Sequence, residues 1–390
     1  MTPIIFTGAA IFDGTRLREG AALVVEDGAV AEIVPAEAVP DGALVELDGG
    51  VLAPGFLDLQ VNGGGGLMLG EAASVEGIAA ICAAHGGLGS TGLLPTLITD
   101  TPEVTAAVIA AGIAAAEAGV PGFLGLHLEG PHLDPARKGA HDPALIRPMT
   151  PGDLARLTEA ARRLPALMVT LAPEAATEAE IAALAAAGVI VSLGHSDATL
   201  VAARAAFAAG ATSATHLFNA MSPLGHREPG MVGAVLDTPG VYAGLIADGV
   251  HVAPEVIRLA LAAKPERMFL VTDAMAVAGT TLRAFTLGGR RILRRDGRLT
   301  LEDGTLAGAD CDMPGVVRYL TRTVGAPLTR ALRMAGALPA ALLGRSDRRG
   351  HLAPGSAADM VHLDADLALA GVWRGGAPVS RAGQSAIQPD

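Results

Sequence analysis

From Val51 onward the sequence repeats one rhythm, an apolar run, a turn and then an Ala-rich helical stretch. Eight apolar runs follow one another, at 51–62, 93–99, 123–129, 167–173, 189–195, 211–217, 241–247 and 268–273. Helical patterns lie between them, at 74–85, 102–118, 151–163, 176–187, 198–209 and 253–263. The runs are near-continuous Val, Ile and Leu, the composition of strands covered on both faces of a parallel sheet. Eight successive βα units predict an α/β fold, a (β/α)8 TIM-type barrel.

Both ends of the chain depart from this rhythm. The first fifty residues read as short strands with Asp-Gly turns, and GHLAPGSAADMVHLDADLALAGVWRGG near the end reads the same way. We expect 1–52 and 347–390 to meet in one small β-sandwich-like domain beside a catalytic barrel of 53–346. Within the barrel segment, RRILRRDGRLTLEDGT (290–305) predicts a hairpin excursion around Asp296-Gly297, and a helical stretch runs from Gly315 to about Leu343.

Composition narrows the function. A net charge of −12, with Lys138 and Lys264 the only lysines, leaves no basic run to track a phosphate backbone, so a nucleic-acid partner is not expected. Two cysteines cannot build a disulfide framework and suit a reducing compartment. The N-terminus lacks the basic and apolar regions of a signal peptide, and charges, Gly and Pro break the Ala-rich runs before membrane-spanning length. The expectation is a soluble cytoplasmic protein with no membrane partner.

Four of the apolar runs end on a side chain that apolar surroundings penalise: Glu129, His195, His216 and Asp273. In a barrel of this kind, strand C-terminal ends build the open, chemical face. A single buried histidine is more often a core hydrogen-bonder than a ligand, but four such residues on strand ends converge. Two imidazoles and one carboxylate with a position left for water suit one zinc ion, whose bound water has a pKa near 7. Asp273 is then the carboxylate that takes the water proton and delivers it to a leaving amine. Iron(II), cobalt or manganese are the alternative metals. On the first strand Gln60 and Asn62 stand where a second metal would need stronger donors. One divalent metal per chain is therefore expected, with Gln60 and Asn62 left as a weak second-metal or substrate contact. An anionic substrate would need local anchors. Backbone N–H groups at Asn219-Ala220 and the guanidinium of Arg227 in HREPG are candidates.

Several stretches, PGFLDLQVNG (54–63), LGLHLEGPHLDPARKGAH (124–141), GHSDAT (194–199), THLFNAMSPLGHREPGMVG (215–233), GLIADGVHV (244–252), LVTDAM (270–275) and GTLAG (304–308), carry a resemblance. In this order they resemble the N-acetylglucosamine-6-phosphate deacetylases of the amidohydrolase superfamily. The resemblance implies a zinc on Glu129, His195 and His216 and an acid/base role for Asp273. It also implies phosphate on Asn219, Ala220 and Arg227, and His141 and His251 beside the sugar, with Ala140 in the same loop. Leu306, Ala307 and Gly308 would close on the acetyl group. A homodimer is the implied assembly, and a phosphorylated amino sugar the implied small-molecule partner. Asp310 and Asp312, after that last segment, depart from the family's small or apolar residues and put the acyl pocket's polarity in question.

The reaction so implied is metal-dependent hydrolysis of the acetamide of N-acetylglucosamine 6-phosphate, as in amino-sugar catabolism and cell-wall recycling. Its rivals are the galacto epimer as substrate, another N-acyl or cyclic amide, and a non-catalytic sugar-phosphate sensor. A full ligand set with Asp273 argues against the sensor. Among the other histidines, His127 is expected to pack or support the site from behind, and His85 to be structural.

Overall fold

The computed structural model describes residues 2–346 and 348–380. Asp347 and 381–390, part of the expected C-terminal half of the small domain, lie outside the described residues. Eight parallel strands form the central sheet: β1 (Phe56–Val61), β2 (Ser90–Ile98), β3 (Leu126–Glu129), β4 (Leu167–Leu171), β5 (Ile190–Leu193), β6 (Ser213–Ala214), β7 (Tyr242–Leu245) and β8 (Met268–Leu270). Each pairs with its sequence neighbour. The seam between β8 and β1 closes one step further on. Asp273 N donates to Gln60 O at 3.0 Å, and Asn62 N to Ala274 O at 2.8 Å. The expected barrel is present.

Helices α1 (Val75–Gly86), α2 (Pro102–Glu117), α3 (Pro151–Arg163), α4 (Glu178–Ala186), α5 (Leu200–Ala208), α6 (Gly230–Asp237) and α7 (Pro254–Ala263) follow the first seven strands. Five begin on a Ser or Thr whose hydroxyl accepts a first-turn N–H, among them Ser74, Thr101, Thr150, Thr177 and Thr199. The sequence reading has no counterpart of α6, whose Gly-containing apolar run carries no such cap. The helical stretch after Gly315 is α8 (Met313–Tyr319), which runs on into a π-helical turn at Leu320–Val324, then α9 (Leu328–Ala335) and α10 (Ala337–Leu342), with Gly325 and Gly336 at the breaks.

The first apolar run differs most from expectation. Residues 51–62 are two strands, because Gly55 N turns to Asp359 O and hands Val51–Pro54 to another sheet. A Cβ at Gly55 would lie 2.1 Å from Thr91 Oγ1, so only glycine fits this crossing. The expected hairpin is a four-stranded sheet, Ala284–Leu287, Arg290–Arg295, Arg298–Thr300 and Leu306–Ala309.

Strands from the two end segments pair with one another. Met360–Leu363 pairs with Val51–Pro54 in a six-stranded sheet that also holds Ala10–Phe12 and Leu369–Arg374. A four-stranded sheet of N-terminal strands packs on it through Phe6, Leu23 and Val25 against Leu52 and Met360. Phe6 is fully buried, with its ring edge-on to Trp373 at 5.2 Å between centroids. Phe6→Ala is expected to cost about 3–5 kcal/mol, from lost transfer energy plus the cavity left behind. Denaturant unfolding checks this, and an unchanged midpoint would mean that this aromatic contact does not hold the sheets together.

Candidate functional site

Glu129 is the last residue of β3, and His195, His216 and Asp273 lie just past the ends of β5, β6 and β8. All four are buried. His195, His216 and Asp273 have φ values of +48°, +33° and +54°, the left-handed region that non-glycine residues avoid. This turn stops the strand ladder early, so β6 and β8 are shorter than the apolar runs suggested. It also aims each side chain across the barrel mouth, and strain of this kind clusters at working sites.

The four residues converge. Glu129 Oε1 lies 3.0 Å from His216 Nε2 and 3.3 Å from His195 Nε2, and the two Nε2 atoms are 3.0 Å apart. Glu129, His141 and His195 form a buried group able to hold a metal ion, one ligand atom from each lying within 4.8 Å of the others. His141 stands farther off than His216, with Nε2 at 4.0 Å from Glu129 Oε2. Tautomers separate these histidines. His195 Nδ1 faces the carbonyl of Arg137 at 2.8 Å, so it carries the hydrogen and leaves the Nε2 lone pair toward Glu129. His141 Nδ1 instead faces the Thr99 hydroxyl at 2.8 Å and the Thr99 N–H at 3.3 Å; the N–H can only donate, so in the neutral ring the hydrogen is on Nε2. Burial pushes His141 down to about 3, which keeps it neutral. Nε2 of His141 is thus a donor.

Burial alone would raise the Glu129 pKa, but the His195 and His216 imidazoles set against it hold its carboxyl well below the usual range. His216 Nδ1 and Asn62 Oδ1 are buried without a hydrogen-bond partner among the described residues. Two imidazole nitrogens and a carboxylate oxygen about 3 Å apart, with polar atoms left over, fit a divalent metal. Asp273 Oδ1 accepts from Asn62 Nδ2 at 2.6 Å and Gln60 Nε2 at 3.2 Å, and Gln60 Nε2 also donates to Glu129 Oε1 at 3.0 Å. Burial, then the charge of Glu129, lifts the Asp273 carboxyl to about 6.

These groups floor a cavity of about 250 Å³. Its wall includes Ala140, Asn219, Ala220, His251, Leu306 and Gly308, with Ile98, Ile246, Met275 and Leu287. A Cβ on Gly308, at φ +66°, would fall 2.5 Å from Met275 Cγ, so glycine keeps this wall open. Ala307 is fully buried behind it. His251 Nδ1 is 2.7 Å from Asp248 Oδ2, a pairing the sequence reading missed, as it missed Thr99 behind His141. His127 sits beneath Glu129, between Thr96 Oγ1 and Thr170 Oγ1 at 3.3 and 2.7 Å. His85 faces Gly63 O at 2.9 Å.

Three sequence candidates fall elsewhere. Arg227 is exposed on the loop before α6 and is not part of the cavity wall. Asp310 pairs with Arg294 at 2.8 Å, and Asp312 caps α8 through Gly315 N at 2.7 Å. Neither carboxylate lines the cavity, so the expected disturbance of its polarity does not arise from them.

Comparisons with known proteins give the chain's relatives. The N-acetylgalactosamine-6-phosphate deacetylase of Shewanella sp. (strain ANA-3) is 39% identical over 98% of this chain and 97% of its own length. The N-acetylglucosamine-6-phosphate deacetylase of Haemophilus influenzae is 37% identical over 87% of this chain and 89% of its own. The crystal structure of N-acetylglucosamine-6-phosphate deacetylase from Pasteurella multocida superposes with a TM-score of 0.93 at 36% identity, covering 96% of this chain and 99% of that one. A Mycobacterium smegmatis mutant of that enzyme, in complex with N-acetyl-D-glucosamine-6-phosphate, superposes at 0.90 and 36%, covering 97% of this chain and all of that one. The sequence model of the amidohydrolase family matches residues 51–382, and this chain belongs to that family.

Proposed function

We propose that this chain hydrolyses the acetamide of an N-acetylhexosamine 6-phosphate, N-acetylglucosamine 6-phosphate first, giving acetate and the free amino sugar phosphate. The observation that carries the reading is the meeting of Glu129, His195 and His216 with Asp273 at the floor of one cavity. Glu129, His195 and His216 would hold one divalent metal, zinc by the nitrogen and oxygen donor set. Bound there, it supplies Lewis acidity and brings the pKa of water toward neutrality. Asp273 receives the proton of the attacking water and passes it to the nitrogen of the leaving amine. Its Oδ1 is occupied by Asn62 and Gln60, which leaves Oδ2 for that transfer. His141 donates its Nε2 hydrogen to the carbonyl oxygen as negative charge develops there. Leu306 and Gly308 face the acetyl group, Asn219 and Ala220 the phosphate side, and His251 the sugar.

Among the described residues, no lysine or arginine lines this cavity. Since Arg227 is exposed outside its own chain's cavity, its place on a substrate phosphate fits a homodimer in which a second copy receives it. Arg227→Ala is expected to raise KM for the phosphorylated sugar by about tenfold or more, the scale of one charge-assisted contact. KM for the unphosphorylated sugar should stay level, and equal rises on both would remove the phosphate role. Two free cysteines, Cys82 and Cys311, support a cytoplasmic setting. No helix among the described residues is long and apolar enough to cross a membrane.

Relatives of both epimer specificities match along the chain, so the deciding experiment uses both sugars. Acetate release from N-acetylglucosamine 6-phosphate and from its galacto epimer is measured with metal content on the same sample. Metal-dependent release supports the reading, and a metal-loaded protein that releases none from either would overturn it.

A further inference from the structure

One carboxylate near the site has no part in the reaction just described. Asp58, inside β1, is fully buried. Its Oδ2 accepts from the Thr272 hydroxyl, and its Oδ1 from Thr272 N at 3.2 Å and Gln60 N at 3.3 Å. The Thr272 hydroxyl in turn accepts from Ala274 N at 3.3 Å. Both neighbours of Asp273 are therefore tied, directly or through that hydroxyl, to Asp58. Between them, Asp273 holds its left-handed backbone turn at φ +54°. The regular ladder of β8 has already stopped at Leu270, so the side chain of Asp58 reinforces the few backbone bonds that close the seam here, Asp273 N to Gln60 O and Asn62 N to Ala274 O.

A charge in the barrel interior is an expensive way to satisfy three donors, and a neutral acceptor of the same size would close the seam with less desolvation. Burial lifts the carboxyl to about 7, as expected where few charges compensate it. Such groups persist where they fix a reacting geometry.

We propose that Asp58 is a positioning residue: its carboxylate clamps Thr272 and so fixes the turn from which Asp273 faces the cavity. The role rests on the deacetylase reading given above. Asp58 touches neither substrate nor metal ligand side chains, and acts through Thr272 and the Gln60 backbone.

Asp58→Asn and Thr272→Val, each metal-loaded, test it. Either variant should lower kcat about 10–100-fold, the scale of a small misplacement of a reacting group, with KM and metal content little changed. Thr272→Ser keeps the hydroxyl and should restore kcat to near the parent value. The double variant should be no slower than the singles, since both break one clamp. Amide hydrogen exchange at Asp273 and Ala274 should quicken in both variants, a readout independent of turnover. If Asp58→Asn does not fold, Thr272→Val and Thr272→Ser carry the test. A folded, metal-loaded Thr272→Val or Asp58→Asn with parental kcat and parental exchange would overturn the proposal. If the parent itself releases no acetate, the deacetylase reading fails, and the exchange measurement still decides whether the clamp exists.

Discussion

Asp273→Asn is expected to reduce kcat by about 10²–10⁴-fold, the usual contribution of a positioned acid/base, while the folded, metal-loaded protein persists. The substitution is nearly isosteric, and the amide oxygen can still accept from Asn62 Nδ2 and Gln60 Nε2 where Oδ1 does now. What disappears is the capacity to accept and return a proton. Stability gives a second, opposite sign. Asp273 titrates at about 6 instead of 3.8 because burial and Glu129 disfavour its charge. An acid raised in the folded state keeps its proton longer than in the unfolded chain, so metal-free stability falls as pH climbs from about 4 to about 6. The neutral amide removes that loss. Stripped of metal, Asp273→Asn should therefore unfold at pH 7 no more easily than the parent. A variant turning over at the parental rate would remove Asp273 from the chemistry.

The barrel was legible because burial on both faces leaves an unbroken apolar record for each strand, and polar interruptions then mark strand ends. Glu129, His195, His216 and Asp273 were found on that ground, and the structure places them side by side at the barrel mouth. Less visible was how they get there. The left-handed turns at His195, His216 and Asp273 have no sequence signature, since none is a glycine. Partners supplied from other strands, or from three residues back in the same loop, were equally hidden. Thr99, Asp248 and Asp58 are ordinary polar residues until folding sets them against His141, His251 and Thr272. Loops were the weakest ground. The sequence put Arg227 on a substrate phosphate, but where its loop lies depends on packing around α6, and within the chain it faces outward. Asp310 looked like an intruder in an apolar wall only because its partner Arg294 comes from the same sheet, across the intervening strand.

The metal itself is best tested through Glu129, the one carboxylate placed between His195 Nε2 and His216 Nε2. Glu129→Gln leaves a neutral amide where those nitrogens now meet an anion, and amide oxygens are poor partners for transition metals beside imidazole. Metal content should fall well below one per chain, and activity at ordinary metal concentrations should drop by about 10³-fold or more, since water activation is lost with the ion. Unfolding provides a check that needs no substrate. Metal at 100 times its dissociation constant stabilises the parent by about 2.7 kcal/mol, and chelation should remove that gain. In Glu129→Gln the melting temperature should be insensitive to chelator. Two histidine variants then decide which imidazole completes the ligand set. His216 has its Nε2 at 3.0 Å from Glu129, whereas His141 stands at 4.0 Å with its Nε2 hydrogen-bearing. His216→Ala should therefore lose metal, and His141→Ala should keep it while losing turnover, because a donor to the carbonyl oxygen is gone but the ligands remain. The reverse pattern would move the metal toward His141 and leave the oxyanion without its side-chain donor.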